Sequence, residues 1–362
     1  MAAAEPPVRY GILGCANIAR KMWRAILLSG NSTVVAVGSR SLAKAEAFAK
    51  ENGFPGSARA YGSYDAVIDD PDVDAVYIPL PTSLHRRWAA LAAEKKKHVL
   101  LEKPVALNVA ELDEILAACR VNGVQYMDAT MWMHHPRTAA IAAALSDRCR
   151  FGQLKAVHII YSHNCGPDFL KNDIRVKPDL DALGALGDAG WYCIRAILWA
   201  YDYNLPTTVV ALPNTEFNEA GVILSCGASL QYPDNKMTTF YCSFLANLTM
   251  EVNFLGTDGY IRFNDFVIPF EEKVTHFYEH ANTRFGELAT SIEPLPTKHV
   301  VRSDLPQEVL MVKEFSNLVQ KIDRGGEKSE KKWEIISRKT QLVMDAVKTS
   351  IDKGFVAVEV EE

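Results

Sequence analysis

The chain has 362 residues, 48% hydrophobic and 23% charged, an ordinary balance for folded protein that excludes disorder and collagen-like repetition. Lys and Arg total 39 against 44 for Asp and Glu, a formal charge of −5, and the longest basic run is Lys95-Lys96-Lys97, which excludes a general nucleic-acid binder. At about 150 residues per domain the length predicts two domains.

The first 130 residues alternate between two periodicities. Val8–Leu13 reads as a strand, and Asn17–Leu28 as a helix with Ile18, Met22, Ala25 and Ile26 at helical spacing. The strand Val34–Val37 and the helix Leu42–Glu51 follow, closed by the turn residues Gly53, Pro55 and Gly56. Ala75–Ile78 is a third strand, stopped by Pro79-Leu80-Pro81; then come the helix Leu84–Glu94, the strand His98–Leu101, the helix Val109–Val121 and the strand Val124–Met127. Continuous apolar strands separated by helices predict a doubly wound parallel sheet covered on both faces.

After Gly152 the texture changes. Leu154–Ser162, Thr207–Leu212, Gly221–Tyr232, Met237–Leu245, Leu248–Phe254 and Tyr260–Phe263 read as strands, several alternating. Pro233-Asp234-Asn235 and Gly256-Thr257-Asp258-Gly259 are hairpin signals, so a large, mostly antiparallel sheet in an α+β domain is expected. Two amphipathic helices, Pro306–Lys321 and Ser337–Lys353, close the chain, with an exposed charged loop over Asp323–Lys332. The expected division is 1–130 and 131–362, with the helix 337–353 able to pack back on the first domain.

No apolar run approaches the roughly 18 residues of a membrane helix. Met1–Pro7 has no h-region and runs straight into a strand, which predicts no secretory leader. Cys15, Cys119, Cys149, Cys165, Cys193, Cys226 and Cys242 are odd in number and scattered, as expected of reduced thiols in the cytoplasm.

The first strand ends at Gly14-Cys15-Ala16-Asn17-Ile18-Ala19, a G-x-A-x-x-A variant of the dinucleotide fingerprint. Gly14 permits the tight turn, Ala16 lets the backbone approach a pyrophosphate, and Ala19 lets the helix pack close. The helix N-terminus then offers N–H groups and partial positive charge to the anion. An NAD site usually has an acid at the end of the second strand to hold the ribose. Here the chain reads Gly38-Ser39-Arg40-Ser41, with Lys44 one helical turn later. A 2′-phosphate on Arg40 gains about 1.5–3 kcal/mol, roughly 10- to 100-fold, so NADP (NADPH) is the expected cofactor.

Three further constellations sit at strand ends. They are Pro79-Leu80-Pro81-Thr82-Ser83-Leu84-His85, the tripeptide Glu102-Lys103-Pro104, and Leu183–Tyr192, where Asp188 and Tyr192 stand four apart. In an α-helix that spacing shares one face. On these residues the chain resembles the Gfo/Idh/MocA oxidoreductase family, whose first domain is a Rossmann fold, over nearly its whole length. Tyr192 in place of the commoner His resembles the branch holding dimeric dihydrodiol dehydrogenase, xylose dehydrogenase and glucose–fructose oxidoreductase, and within it the plant members.

The resemblance implies Lys103 as catalytic lysine and Tyr192 as general acid/base. A free tyrosine, with pKa about 10, is a poor base at neutral pH, and a nearby lysine cation favours its phenolate. Asp188 then orients Lys103 or a substrate hydroxyl. His85 matches the family's nicotinamide-side histidine, with capping and packing as alternatives; Glu102 reads as structural or as a cofactor contact. Pro79, Leu80, Thr82 and Pro104 complete the cofactor side, and family members commonly have a cis peptide before that proline. Trp132, His135 and Pro136 fit a family segment near the substrate, but Met133 stands where an arginine is frequent. Arg175 survives from a frequent Trp-Arg pair. These departures favour a substrate less hydrophilic than a free sugar.

The expected activity is hydride transfer between NADP and a secondary alcohol or carbonyl of a sugar, a dihydrodiol or a specialised metabolite. The alternatives are a glycosidase-type enzyme with a resident dinucleotide, and a non-catalytic NAD(P) sensor, against which Lys103 and Tyr192 together argue. His134-His135 and the cysteines lack ligand spacing, so no metal is expected. Alternation in Cys242–Leu245 and Thr249–Val252 predicts an apolar sheet face, either exposed or covered within the chain; relatives often pair through that sheet, so the resemblance points to a homodimer.

Overall fold

The structure is a computed structural model and describes residues 6–362, so most of the Met1–Pro7 segment lies outside the described residues. The chain begins β1 (Val8–Leu13), α1 (Asn17–Ser29), β2 (Ser32–Gly38), α2 (Leu42–Glu51), β3 (Arg59–Tyr61), α3 (Tyr64–Ile68), β4 (Ala75–Ile78), α4 (His85–Glu94), β5 (His98–Leu101), α5 (Val109–Asn122) and β6 (Tyr126–Asp128). These six strands form one sheet ordered β3-β2-β1-β4-β5-β6, with every pair parallel. Every residue of β4 and β5 is buried, as a sheet covered on both faces requires. The strand order reverses between β1 and β4, the point where open sheets of this kind take ligands.

Sequence periodicity missed β3. Arg59-Ala60-Tyr61 is too short for an apolar run, and its outer residues are tied down instead: Asp70 accepts from Arg59 Nε at 2.9 Å and from the Tyr61 hydroxyl at 2.9 Å. The last strand also begins later than expected, at Tyr126.

The chain continues through α6 (Pro136–Ser146), β7 (Leu154–Ser162), α7 (Gly166–Asn172), a π-helical turn over Leu186–Gly190, α8 (Trp191–Ala200), β8 (Thr208–Ala211), β9 (Glu216–Phe217), β10 (Ile223–Tyr232), β11 (Lys236–Ser243), β12 (Thr249–Gly256), β13 (Gly259–Phe263), β14 (Val274–Ala281), β15 (Arg284–Phe285), β16 (Ile292–Glu293) and β17 (Thr297–Arg302). It ends with α9 (Gln307–Asp323), α10 (Lys332–Asp352) and β18 (Val358–Glu359). The second sheet runs β17-β14-β13-β12-β7-β11-β10-β8-β18, with β9 on β10. It is antiparallel save for the β7–β11 pair. Val157, Ile159 and Tyr161 alternate onto its inner face, where α8 packs on β7 and β11.

Two compact units result: residues up to 131 with 305–338, and 132–304 with 339–362. They are therefore not the two consecutive spans 1–130 and 131–362. The reason is α9, whose Val309, Met311, Val312 and Phe315 are buried. Tyr10 hydrogen-bonds Ser316 at 2.8 Å, and His98 Nε2 lies 3.0 Å from Asp323. The start of α10 belongs to the same unit, with Ser337 bonded to Asp128 and Arg338 Nε donating to Asp113 at 2.7 Å. Beyond Arg338 the helix belongs to the second unit, where Arg195 Nε donates to Thr340 at 2.7 Å.

Candidate active site

In the first unit, β1 ends at Gly14, whose φ is +116° and whose N–H donates to the Gly38 carbonyl at 2.9 Å. A Cβ there would meet Leu80 at 3.0 Å on top of the backbone strain, so the turn requires glycine. Ala16 is extended and carries no capping side chain, which leaves the first turn of α1 suited to an anion. Ala19 is fully buried, Ile18 is exposed, and Cys15 is half-buried with its thiol pushed up by burial.

At the end of β2, Ser39 is buried, while Arg40, Ser41 and Lys44 are exposed. Ser41 caps α2 by accepting the Lys44 N–H at 3.4 Å, so its hydroxyl already has a structural task. Arg40 lies against Tyr64, pulling its phenol down while burial, the larger effect, pushes it up. Tyr64 in turn meets Trp88 edge-on at 5.0 Å.

The β4 end gives Pro79, Leu80 and a 3-10 turn Thr82–Leu84, with Thr82 buried. His85 is 1% exposed; its Nε2 lies 2.8 Å from the Leu80 carbonyl and its Nδ1 3.3 Å from that of Val105. Packing and orientation of this loop are thus what the ring visibly does. After β5, the Lys103–Pro104 peptide is cis and Lys103 is half-buried. Glu102 accepts from the Tyr77 hydroxyl at 2.5 Å and from the Lys103 N–H at 3.1 Å.

In the second unit, Gly184 adopts φ +57°, and a Cβ there would lie 2.0 Å from the Ile223 carbonyl. Leu183 and Ala185, on either side of it, are buried. Asp188 lies in the π turn and Tyr192 in α8, so their spacing of four does not span a regular α-helix. Tyr192 is 5% exposed, its ring 5.9 Å from that of Tyr161. Arg175 Nε is 3.1 Å from Asp188, and its Nη1 is 3.1 Å from Asp173. Asp188 holds the Arg175 guanidinium well above its ordinary value, and burial followed by Asp188 raises the Tyr161 phenol. Cys165, beside His163 at 3.3 Å, is pushed up to about 12 by burial and then by Asp188. Tyr161, Asp173 and Cys165 escaped the motif reading; the alternation of β7 was the available signal for Tyr161.

Trp132 and His135 are 5% and 3% exposed. Trp132 packs edge-on against Trp199 and Phe266, with ring centroids at 5.8 and 6.0 Å. His135 caps α6, its Nδ1 accepting the Arg137 N–H at 2.9 Å; burial, then Arg137, pushes its pKa down to about 4. Both belong to a packed aromatic interior, which speaks for a supporting role. Among the described residues no group of three His, Cys, Asp or Glu could hold a metal, and no helix is long and apolar enough to cross a membrane.

A glycine turn at the switch of a parallel sheet, opening an uncapped helix, defines a dinucleotide-binding chain of the doubly wound class. Residues 8–130 match the model of the oxidoreductase family with NAD-binding Rossmann fold, and 140–262 match the GFO/IDH/MocA C-terminal domain. The chain belongs to the Gfo/Idh/MocA oxidoreductase family. It is 34% identical to the NADP(+) D-xylose 1-dehydrogenase of Haloferax volcanii, over 70% of this chain and 75% of that one. It is 32% identical to the trans-1,2-dihydrobenzene-1,2-diol dehydrogenase of Danio rerio, over 70% and 74%. A 3-ketoreductase from Actinomadura kijaniata, crystallised with NADP and TDP-benzene, superposes with TM-score 0.81 at 25% identity, covering 95% of this chain and 97% of that one.

Proposed function

We propose that the protein is an NADP-dependent oxidoreductase that interconverts a secondary alcohol and its carbonyl. The observation that carries the reading is the Gly14 turn with the uncapped start of α1, next to a β2 end that offers Arg40 and no carboxylate. These residues fit a dinucleotide: Gly14, Cys15, Ala16, Asn17 and Ile18 for the pyrophosphate, and Ser39, Arg40, Ser41 and Lys44 for the 2′-phosphate. Pro79, Leu80, Thr82, His85, Glu102 and Pro104 form the wall of that site. The dehydrogenase and reductase activities of the relatives support the same reading.

When bound, the cofactor supplies the acceptor or donor of hydride. The chain supplies the proton chemistry. In oxidation, Tyr192 takes the hydroxyl proton as the C–H electron pair leaves and the carbonyl forms; in reduction it returns that proton. Lys103 favours the phenolate, and Asp188, fixed by Arg175, aligns the substrate oxygen. The substrate is a sugar, a dihydrodiol or a related alcohol.

The outer face of the second sheet supports a homodimer. Met237 and Leu255, 62% and 37% exposed, both pair with Ala156 of β7, and Tyr241 at 37% pairs with Ile160. Seven free cysteines fit the reduced cytoplasm.

The test follows nicotinamide absorbance with NADP or NADPH against aldoses, trans-dihydrodiols, hydroxysteroid-like alcohols and α-dicarbonyls. Turnover should fall about 100- to 10,000-fold in Tyr192→Phe and vanish in Lys103→Met, with NADPH affinity within about 2-fold. Full turnover in Tyr192→Phe would remove it as the acid/base. A copurifying cofactor without net nicotinamide turnover would favour the resident-dinucleotide alternative.

A further inference from the structure

The start of α6 encloses a small cavity whose polar lining has a definite valence. Its volume is about 10 Å³, and it is lined by Trp132, His135 and Thr138 together with Trp199, Phe263 and Phe266. That is room for one water and for nothing the size of a sugar. Two polar atoms of the residues that line it are buried and have no protein partner, the indole Nε1 of Trp132 and the imidazole Nε2 of His135. Buried N–H groups are rarely left in this state.

The hydrogen-bond chemistry fixes what fits there. His135 Nδ1 accepts the Arg137 N–H at 2.9 Å, so the neutral ring carries its proton on Nε2 and donates from it. The indole N–H can only donate. The Thr138 hydroxyl donates to the Trp132 carbonyl at 2.7 Å, which leaves its oxygen lone pairs as acceptors. Arg137, which also lines the cavity, is paired with Asp265, so no net charge is left there to attract an ion. Two donors and one acceptor around a space of this size match the roughly three hydrogen bonds of a buried water.

We propose that this cavity binds one water molecule, which accepts from Trp132 Nε1 and His135 Nε2 and donates to Thr138 Oγ1. The water joins the α6 cap to the aromatic cluster and keeps the His135 ring in one tautomer. A halide would satisfy both N–H groups but set its charge against the Thr138 lone pairs, so water is favoured on charge and on valence.

Crystals of the full chain grown with sodium bromide separate these ligands. The expected result is a single spherical peak about 3 Å from all three atoms, with no anomalous signal at the bromine edge. A bromine signal there would overturn the neutral ligand, and an empty cavity would overturn the site. In solution, the Trp132 indole N–H, assigned by its loss in Trp132→Phe, should show a cross-relaxation peak to water with the sign of a long-lived molecule. That peak should disappear in folded His135→Phe; its persistence would mean that the water is held elsewhere. If His135→Phe fails to fold, the wild-type crystal and the wild-type cross-peak decide.

Discussion

Arg40 is an exposed cation with one aromatic neighbour, and its work is therefore separable from the fold. Arg40→Ala is expected to weaken NADP binding about 10- to 100-fold and to leave NAD binding nearly unchanged; parallel titrations would read the difference. His135 gives a pH signature. Its folded pKa is about 4, below the ordinary value of about 6.5, so the unfolded chain takes up the proton first. Stability should fall as pH drops from about 6.5 and level off near 4. Denaturant melts of wild type and His135→Gln across that window check it: the slope should be smaller in the variant. Gly14, Arg40, Lys103 and Tyr192 could be proposed from sequence alone, because their motifs are local. The sequence could not disclose that Arg175 is held between Asp173 and Asp188, since the irregular chain between Arg175 and Asp188 has no periodicity from which their approach could be read.

At the level of elements, β14 and β17 were illegible for a physical reason. The inner positions of β14 are Thr275, Phe277 and Glu279, and a buried carboxylate breaks the apolar alternation that marks a strand. Glu279 is tolerated because Arg150 Nη2 donates to it at 2.8 Å and His299 Nε2 lies 2.7 Å away. Arg150 is the first cause of its lowered pKa. A lowered carboxylate stabilises the fold above its unfolded value of about 4.3 and loses that contribution as pH falls through the folded value. Glu279→Gln should therefore lower the melting temperature at pH 7 and narrow its gap from wild type near pH 3. The π turn before α8 was equally hidden, because i,i+4 arithmetic presumes 3.6 residues per turn. The strands β1, β4 and β5 were plain, since burial on both faces leaves mostly apolar residues, with Arg9 and His98 as the polar exceptions.

For the whole molecule, the proposed pairing through the outer face of the second sheet has a direct consequence. Placing a charge at its centre, as in Tyr241→Asp, is expected to shift a sedimenting dimer to monomer, with the melting temperature of the fold little changed. An unaltered sedimentation profile would mean that the face is not the contact. The division into units was only half legible: the change of texture after Gly152 marked the second unit, but nothing local announces that 305–338 returns to the first.

That return sets an order of manufacture. A ribosome completes all six parallel strands by Asp128, yet must add the intervening segment from 132 to 304 before α9 exists. At about 5–20 residues per second, this takes roughly 10 to 35 s. During that time Tyr10 has no Ser316, His98 has no Asp323, and Asp128 has no Ser337. The earliest-made sheet thus waits for partners that are synthesised only after the intervening segment, and apolar surface that α9 later covers stays bare for that interval.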